Sequence, residues 1–306
     1  MKRPLLSLCL PTNGISEWVF PVLDSIFLQN IDNSLYEVVV TDNGNNQDFF
    51  EKMQHYATLH SNLIYKKTNA YLFENQIEAL RFANGDFLKF LNHRAVLEPD
   101  SLKWMIEFVE KYREEKPVIY LSNGQLELNE NYETNSFDGF VRGIREFASW
   151  TTGVGVWKTD FEKIPDDKVY NKISPHSDVL FAERKKDKYV INDYLWCHEI
   201  DKSHKKKGSY DLYKAFGIEE FSITLGLYLD GDITVETLKA VKKAYEKLLV
   251  RFYMIFSILK HPCSYNLKNF NKSTSIFFSP TKIKFKAWFG IIPNGIRKIF
   301  RMIFKK

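Results

Sequence analysis

Cysteine is scarce in this chain: Cys9, Cys197 and Cys263 are odd in number, far apart, and without metal-ligand spacing. That excludes a disulfide framework or a thiolate metal site and suits isolated, buried thiols in a reducing compartment. Long apolar runs are also missing. No stretch reaches the roughly 18 uninterrupted apolar residues of a membrane-spanning helix. The opening MKRPLLSLCLPTNG begins positive and apolar, but Pro11-Thr12-Asn13-Gly14 breaks the run early and no small-residue cleavage site follows. A first strand is expected there rather than a signal peptide. The excess of charge is mild, 43 Lys and Arg against 38 Asp and Glu for a formal +5, but it is unevenly spread.

Hydrophobic residues make up 44% of the 306, enough for a sizeable core, and aromatics are plentiful at 15%. Short apolar runs alternate with helix-period stretches. Strands are expected over 5–10, 36–40, 62–66, 87–91, 118–121, 151–157 and 189–196, and helices over 17–29, 49–60, 74–83, 101–115, 178–184 and 235–259. Ser177 is the expected N-cap of the helix from Asp178. The polar stretch 125–143 has no clear period and reads as a loop or hairpin. In TTGVGVW, 151–157, the glycines suggest close backbone approach. Alternating strands and helices predict an α/β fold with a mostly parallel sheet flanked by helices.

Polar loops follow successive strands: Pro11-Thr12-Asn13, Asp42-Asn43-Gly44 and Asn92-His93-Arg94. Ligands of open α/β sheets bind outside the carboxyl ends of strands, so these loops are expected to meet in one cleft. Their chemistry suits a nucleotide. An Asp carboxylate accepts from a base imide, and Thr, Asn and backbone groups hold ribose and base. Asn, Asp and Gly are also ordinary turn residues, and it is their succession after short apolar strands that favours a binding role. Arg94 suits phosphate oxygens. Trp150 and Thr151 can form an aromatic and hydroxyl floor under a sugar, with Trp150 as a core residue the alternative. The loop HKKKGSY, 204–210, brings Lys205 and Lys206 next to a glycine hinge and can close over phosphates, or can be a solvated charged loop.

The runs LLSLCLPTNG, YEVVVTDNGN and ENQIEALRFANGDFLKFLNHRAVLEPDSL resemble family 2 glycosyltransferases of the GT-A fold. The likeness covers about residues 1–200 and is strongest over 4–102. It implies a Rossmann-like sheet over 1–215, binding nucleotide sugar and acceptor; the helical period of 235–259 and the basic, apolar C-terminal sequence point to a helical extension over 216–280 and a tail over 281–306. It also implies an inverting transfer of a sugar from a nucleotide donor, with UDP expected, onto a hydroxyl of a surface glycan such as capsule or lipopolysaccharide. Pro11, Thr12, Asn13, Asp42, Asn43 and Asn75 would line the nucleotide pocket, and Asp178 in PHSDVLF stands where the family's catalytic base is expected. His176 is an acceptor-side residue and a weaker alternative base. Asp178 can equally serve the helix N-terminus electrostatically.

The chain departs from the family at one place. An Asp-x-Asp pair, where Mg²⁺ or Mn²⁺ would bridge the diphosphate, is replaced by Asn92-His93-Arg94. A hard divalent cation wants carboxylate oxygens, and an arginine repels it. Metal independence is therefore favoured over metal dependence. The same departure keeps open a non-catalytic relative that binds a glycan or a partner. Nucleotidyl transfer is disfavoured because no glycine- and lysine-rich loop follows the first strand.

The tail from Thr281 to Lys306 carries Lys282, Lys284, Lys286, Arg297, Lys298, Arg301, Lys305 and Lys306 and no acidic residue. From Asn294 the apolar residues Ile296, Ile299, Phe300, Ile303 and Phe304 fall on one helical stripe. A basic amphipathic helix of this kind is expected on an anionic membrane surface, which suits a lipid-linked acceptor and a peripheral place on the inner face of the plasma membrane. Packing on 235–259 or on a second subunit is the alternative, and no nucleic-acid partner is expected.

Overall fold

The computed structural model describes residues 3–128, 131–200 and 208–303, with side chains described as far as residue 291. The chain divides into two compact units, Met1–Asp201 and Lys202–Lys306.

In the first unit, β1 (Leu6–Thr12), α1 (Ser16–Phe27), β2 (Tyr36–Asp42), α2 (Gln47–Leu59) and β3 (Leu63–Lys67) alternate as the sequence period requires. They are followed by α3 (Asn75–Phe82), β4 (Phe87–Phe90), β5 (Ala95–Leu97), α4 (Ser101–Lys111) and β6 (Val118–Leu121). The main sheet has the order β3-β2-β1-β4 and ends in β8 (Gly155–Trp157), which runs antiparallel to β4. β1 pairs in parallel with both β2 and β4, and β2 with β3. Every residue of β2 is buried, as expected of a parallel strand covered on both faces. The register sets Thr12 opposite Asp42 and Asp42 opposite Lys67. The polar ends of three strands thus form one row along the carboxyl edge.

Packing onto this sheet is aliphatic and aromatic. Leu8, Val38, Val40 and Phe87 meet Val19, Leu23, Leu102 and Met105 from the helices in one buried cluster. Gly85, in the turn from α3 to β4, lies so close to β1 that a Cβ would fall 2.5 Å from Ser7 Oγ and 2.9 Å from the Leu6 carbonyl carbon. The buried Glu37 carboxylate accepts from Asn84 N at 2.5 Å, Gly85 N at 3.2 Å and Ser7 Oγ at 2.6 Å, so the turn is closed by a charge-assisted cluster.

The remaining elements differ from the expectation in four places. Residues 125–143 are not all loop: β7 (Tyr132–Thr134) pairs with β9 (Tyr189–Asn192), and α5 (Phe137–Ile144) starts at Ser136, whose side chain accepts from Gly139 N. Phe137, Phe140, Val141 and Ile144 are buried, a stripe hidden by the polar residues between them. The 151–157 strand is shorter than expected. Thr151–Gly153 is a 3-10 turn, and only Gly155–Trp157 joins the sheet. Close approach at its glycines does occur, with Gly153 against the Tyr120 ring and Gly155 against the Phe87 ring. The 189–196 strand stops at Asn192, and the chain pairs again as β10 (Cys197–Glu199) against β5. Finally, after the short α6 (Lys158–Phe161), helix α7 spans Pro175–Leu180 and its N-cap position is Ser174, not Ser177. The fixed φ of Pro175 suits the first helical position and moves the start upstream. Asp178 remains in the first turn.

The second unit is helical: α8 (Leu212–Lys214), α9 (Glu220–Leu229), α10 (Val235–Phe252), α11 (Phe270–Thr274) and α12 (Pro280–Ile303). α10 opens on Thr234, whose hydroxyl accepts from Thr237 N, and passes into a π-helical turn over Tyr253–Ile258. Tyr213, Tyr245, Phe256 and Phe270 supply much of its core, with Leu249, Ile283 and Ala287. α12 begins at Pro280, well before Asn294. Among the described residues no helix is long and apolar enough to cross a membrane.

Candidate active site

The polar loops do meet at the carboxyl edge of the sheet. Asn43 N donates to Thr12 O at 3.1 Å, and Asn46 Nδ2 donates to Gly14 O at 3.0 Å. Gly44 lies so near the first loop that a Cβ would fall 2.0 Å from Asn13 O, so only glycine fits. The third loop joins through Thr12 Oγ1 and His93 Nδ1, 2.9 Å apart. Asn75 ties the group together from the start of α3. Its amide donates to Thr12 O at 3.1 Å and Thr41 O at 2.8 Å, and its oxygen accepts from Thr68 Oγ1 at 2.8 Å. The side chain of Asn75 is therefore spent on holding loops in place. Asn43 is used in the same way, donating to Ala70 O and Leu72 O.

Asp42 is buried at the end of β2. One oxygen accepts from Gly44 N at 2.8 Å, and the other from Tyr65 Oη at 3.0 Å and Lys67 Nζ at 2.9 Å. A carboxylate has about four acceptor positions, so this leaves it one. Lys67 also donates to Gly44 O. Burial and the Asp42 charge push the Tyr65 phenol upward, so it stays a neutral donor. Pro11 is half-buried and Asn13 exposed at the mouth.

Beyond β4, Asn92 Oδ1 accepts from Arg94 N at 3.0 Å, an Asx turn that fixes the bend. Burial, with Arg94 beside it, pushes the His93 imidazole down to about 3, so it is neutral at physiological pH. Its ring stands edge-on to Trp18 at 5.0 Å. The Arg94 guanidinium lies 5.1 Å from the same indole centroid and 3.4 Å from Glu199 Oε1, and is itself buried. A cation held by an aromatic face and a carboxylate is a stable way to keep charge under the surface.

The donors at this position do not fit a hard divalent cation. Asn92 offers one neutral oxygen already in use, His93 a nitrogen facing Thr12, and Arg94 a positive charge. Of the nearby carboxylates, Glu199 faces Arg94 at 3.4 Å and Glu98 is 2.7 Å from His198 Nδ1. No group of three or more His, Cys, Asp or Glu placed to hold a metal occurs among the described residues.

On the other side of β4, Lys89 is wholly buried and donates to Phe90 O at 3.0 Å, Val154 O at 3.2 Å and Thr152 O. Its ammonium stands 4.9 Å from the Trp196 ring, and burial pulls it down to about 7. Lys89 thereby stitches the Thr151–Gly153 turn to β4. His176, buried on α7, sets Nδ1 3.0 Å from Gln76 Oε1 and 3.3 Å from Thr151 Oγ1. Its imidazole is pushed down to about 4 by burial, against a smaller upward pull from the Ser149 backbone. Because Gln76 follows Asn75, this contact joins α7 to the helix that anchors the loops at the carboxyl edge. Trp150 is half-buried beside the turn.

Asp178 Oδ2 accepts from Asn171 N at 2.5 Å. Burial raises its carboxyl above the ordinary range, opposed by that hydrogen bond and by Lys168 and Arg184. A carboxylate tuned upward is a better proton acceptor. Lys205 and Lys206 lie outside the described residues. Asp193, another carboxylate of this half, accepts from Leu126 N and Leu128 N and closes a loop. Trp18, Lys67, Gln76 and Lys89 carried no signal in the sequence: each is an ordinary residue of a helix or strand until the fold brings it to the edge.

A family model described as Glycosyl transferase family 2 matches residues 7–186, more than half of the chain. No significant match was found among curated proteins. Among solved structures, S. aureus TarS 1–349 in complex with UDP-GlcNAc superposes with a TM-score of 0.57 at 14% identity, covering 81% of this chain and 72% of that one. S. aureus TarS also aligns, with a TM-score of 0.54 at 14% identity over 83% of this chain; the chain spans only 45% of that structure. The mannosyltransferase PcManGT from Pyrobaculum calidifontis, in complex with GDP-Man and Mn²⁺, gives 0.50 at 15% identity over 94% of this chain and 86% of that one. At such identities the likeness is one of fold.

Proposed function

The chain belongs to glycosyl transferase family 2 and is a glycosyltransferase, and from that premise we propose an inverting, metal-independent transfer of a sugar from UDP to a hydroxyl of a surface glycan. What carries the reading is the meeting of the loops at Thr12, Asp42 and His93 along the carboxyl edge of a parallel sheet. UDP is favoured because two TarS structures hold UDP or UDP-GlcNAc; with its carboxylate wholly enclosed, Asp42 shapes the base site through Gly44 and Lys67 rather than by direct contact. Arg94 exchanges its long contact with Glu199 for the diphosphate. The positive charge that would otherwise come from a metal is then supplied by a guanidinium, which pairs with phosphate oxygens in a fork. Asp178 takes the proton of the acceptor hydroxyl while its oxygen attacks the anomeric carbon opposite the leaving diphosphate. Trp150, Thr151 and His176 form the acceptor side. A lipid-linked acceptor at an anionic membrane surface suits the basic tail.

Calorimetric titration with UDP, with Mn²⁺ and with EDTA, tests the donor and the metal. Binding is expected to be the same under both conditions, and binding that needs Mn²⁺ overturns the role of Arg94. Asp178→Asn is expected to lower turnover by about a thousandfold or more while leaving UDP affinity unchanged. In the parent enzyme the acidic limb of the rate profile should lie above the ordinary aspartate range, because the base works only when deprotonated. The missing acidic pair favours a second reading, a non-catalytic binding subunit. UDP binding without transfer to any glycan acceptor would decide for it.

A further inference from the structure

Among its described side chains, helix α12 buries one face against the rest of its unit. Ile283 and Ala287 are fully buried, while Lys282 and Lys286 reach the Glu246 carboxylate of α10. Phe285, Trp288 and Phe289 are turned outward and are 62%, 57% and 57% exposed. Their spacing of three and four residues puts them on one helical face, and the Phe285 and Phe289 rings are 4.5 Å apart. Large aromatics grouped in water are unusual on a soluble surface unless something covers them. The Glu246 pair fixes the helix about its axis, so this aromatic face is held outward and is not a consequence of a loose end.

We propose that Phe285, Trp288 and Phe289 are the docking face of this enzyme for an anionic lipid bilayer, with α12 lying along the membrane plane. The proposal deepens, and rests on, the reading of a membrane-surface acceptor. Charge complementarity selects the occupant. From 281 to 306 the sequence holds eight Lys and Arg and no acidic residue; Lys282 and Lys286 are taken up by Glu246 and Lys284 lies over the Phe270 ring, so the charge offered to a surface is that of Arg297, Lys298, Arg301, Lys305 and Lys306. A basic helix with Phe and Trp on its apolar side seats its rings at the acyl boundary and its cations among the headgroups. A nucleic acid would draw on the cations but gain little from ring insertion. A second copy of the chain would bring the same cations against each other.

The test is co-sedimentation of the full chain with phosphatidylcholine vesicles, with and without phosphatidylglycerol, beside the variant Phe285→Ser/Trp288→Ser/Phe289→Ser. The parent is expected to sediment with the anionic vesicles and much less with the neutral ones. The variant should partition roughly tenfold less or weaker still, with its circular dichroism and UDP affinity unchanged. Trp288→Ala alone, expected to lose severalfold, serves if the triple variant does not fold. A parent that stays in the supernatant with both vesicles removes the membrane reading itself. A parent and variant that sediment equally leave a membrane enzyme but overturn this face. A parent dimer that the variant dissociates in sedimentation velocity without lipid would assign the face to a second copy instead.

Discussion

At Gly44 a single hydrogen atom in place of a methyl group decides whether two loops of the carboxyl edge can touch. A Cβ there would fall 2.0 Å from Asn13 O and 2.5 Å from the Asn13 carbonyl carbon, both backbone atoms that cannot swing away. Gly44→Ala is expected to cost about 1–3 kcal/mol of stability. It should also weaken UDP binding by roughly tenfold, because Asn43 N would lose Thr12 O; denaturant unfolding and calorimetry check the two effects. At this scale the sequence was legible in residue type and not in use. The Asp42 and Thr12 positions could be read from their place after apolar strands. That the Asn75 amide is spent on Thr12 O and Thr41 O could not, because both partners are carbonyls any residue would supply. Arg94 was legible as a cation, while its burial against Trp18 depends on the crossing of α1 over the sheet, which no local pattern encodes.

Among the elements, the link between β4 and the Thr151–Gly153 turn is the most exacting. Where the β4–β8 ladder ends at Lys89 and Gly155, the lysine side chain takes over from the backbone and reaches Thr152 O and Val154 O. Lys89→Met removes that hold at nearly constant volume and leaves Thr152 O without its donor. Thr151 is then expected to lose its fixed place beside His176. The acceptor kcat/KM should fall about tenfold or more, with UDP affinity within twofold of the parent; a general loss of fold would lower both. The same region shows why short elements differ from the sequence pattern. A strand of three residues such as Gly155–Trp157, or a helix of six such as Pro175–Leu180, is too brief to display its period. The long alternations from β1 to α4 were legible because each buries a continuous apolar set.

For the whole molecule, burial of neutral imidazoles sets an acid limit. His176 falls from the ordinary 6.5 to about 4 on folding, so between those values the unfolded chain binds more protons than the folded one. Stability from this group is complete above about pH 6.5 and is lost as the pH falls toward 4. His93 adds to the same trend. Urea midpoints are expected to drop over this interval, and less steeply for His176→Gln. The α/β class followed from alternation, and the helical extension from the amphipathic period of 235–259, where α10 forms. The chain divides near residue 201, beside the charged stretch 204–210. That division gives the rarity of cysteine a practical consequence. Cys9 and Cys197 are buried in the first unit, where burial pushes both thiols upward, and Cys263 is partly exposed in the second. The chain therefore carries natural chemical clocks. Alkylation at Cys263 records access to the helical unit. Alkylation at Cys9 and Cys197 waits for the sheet to open, so the breathing of each half can be timed in the unaltered protein.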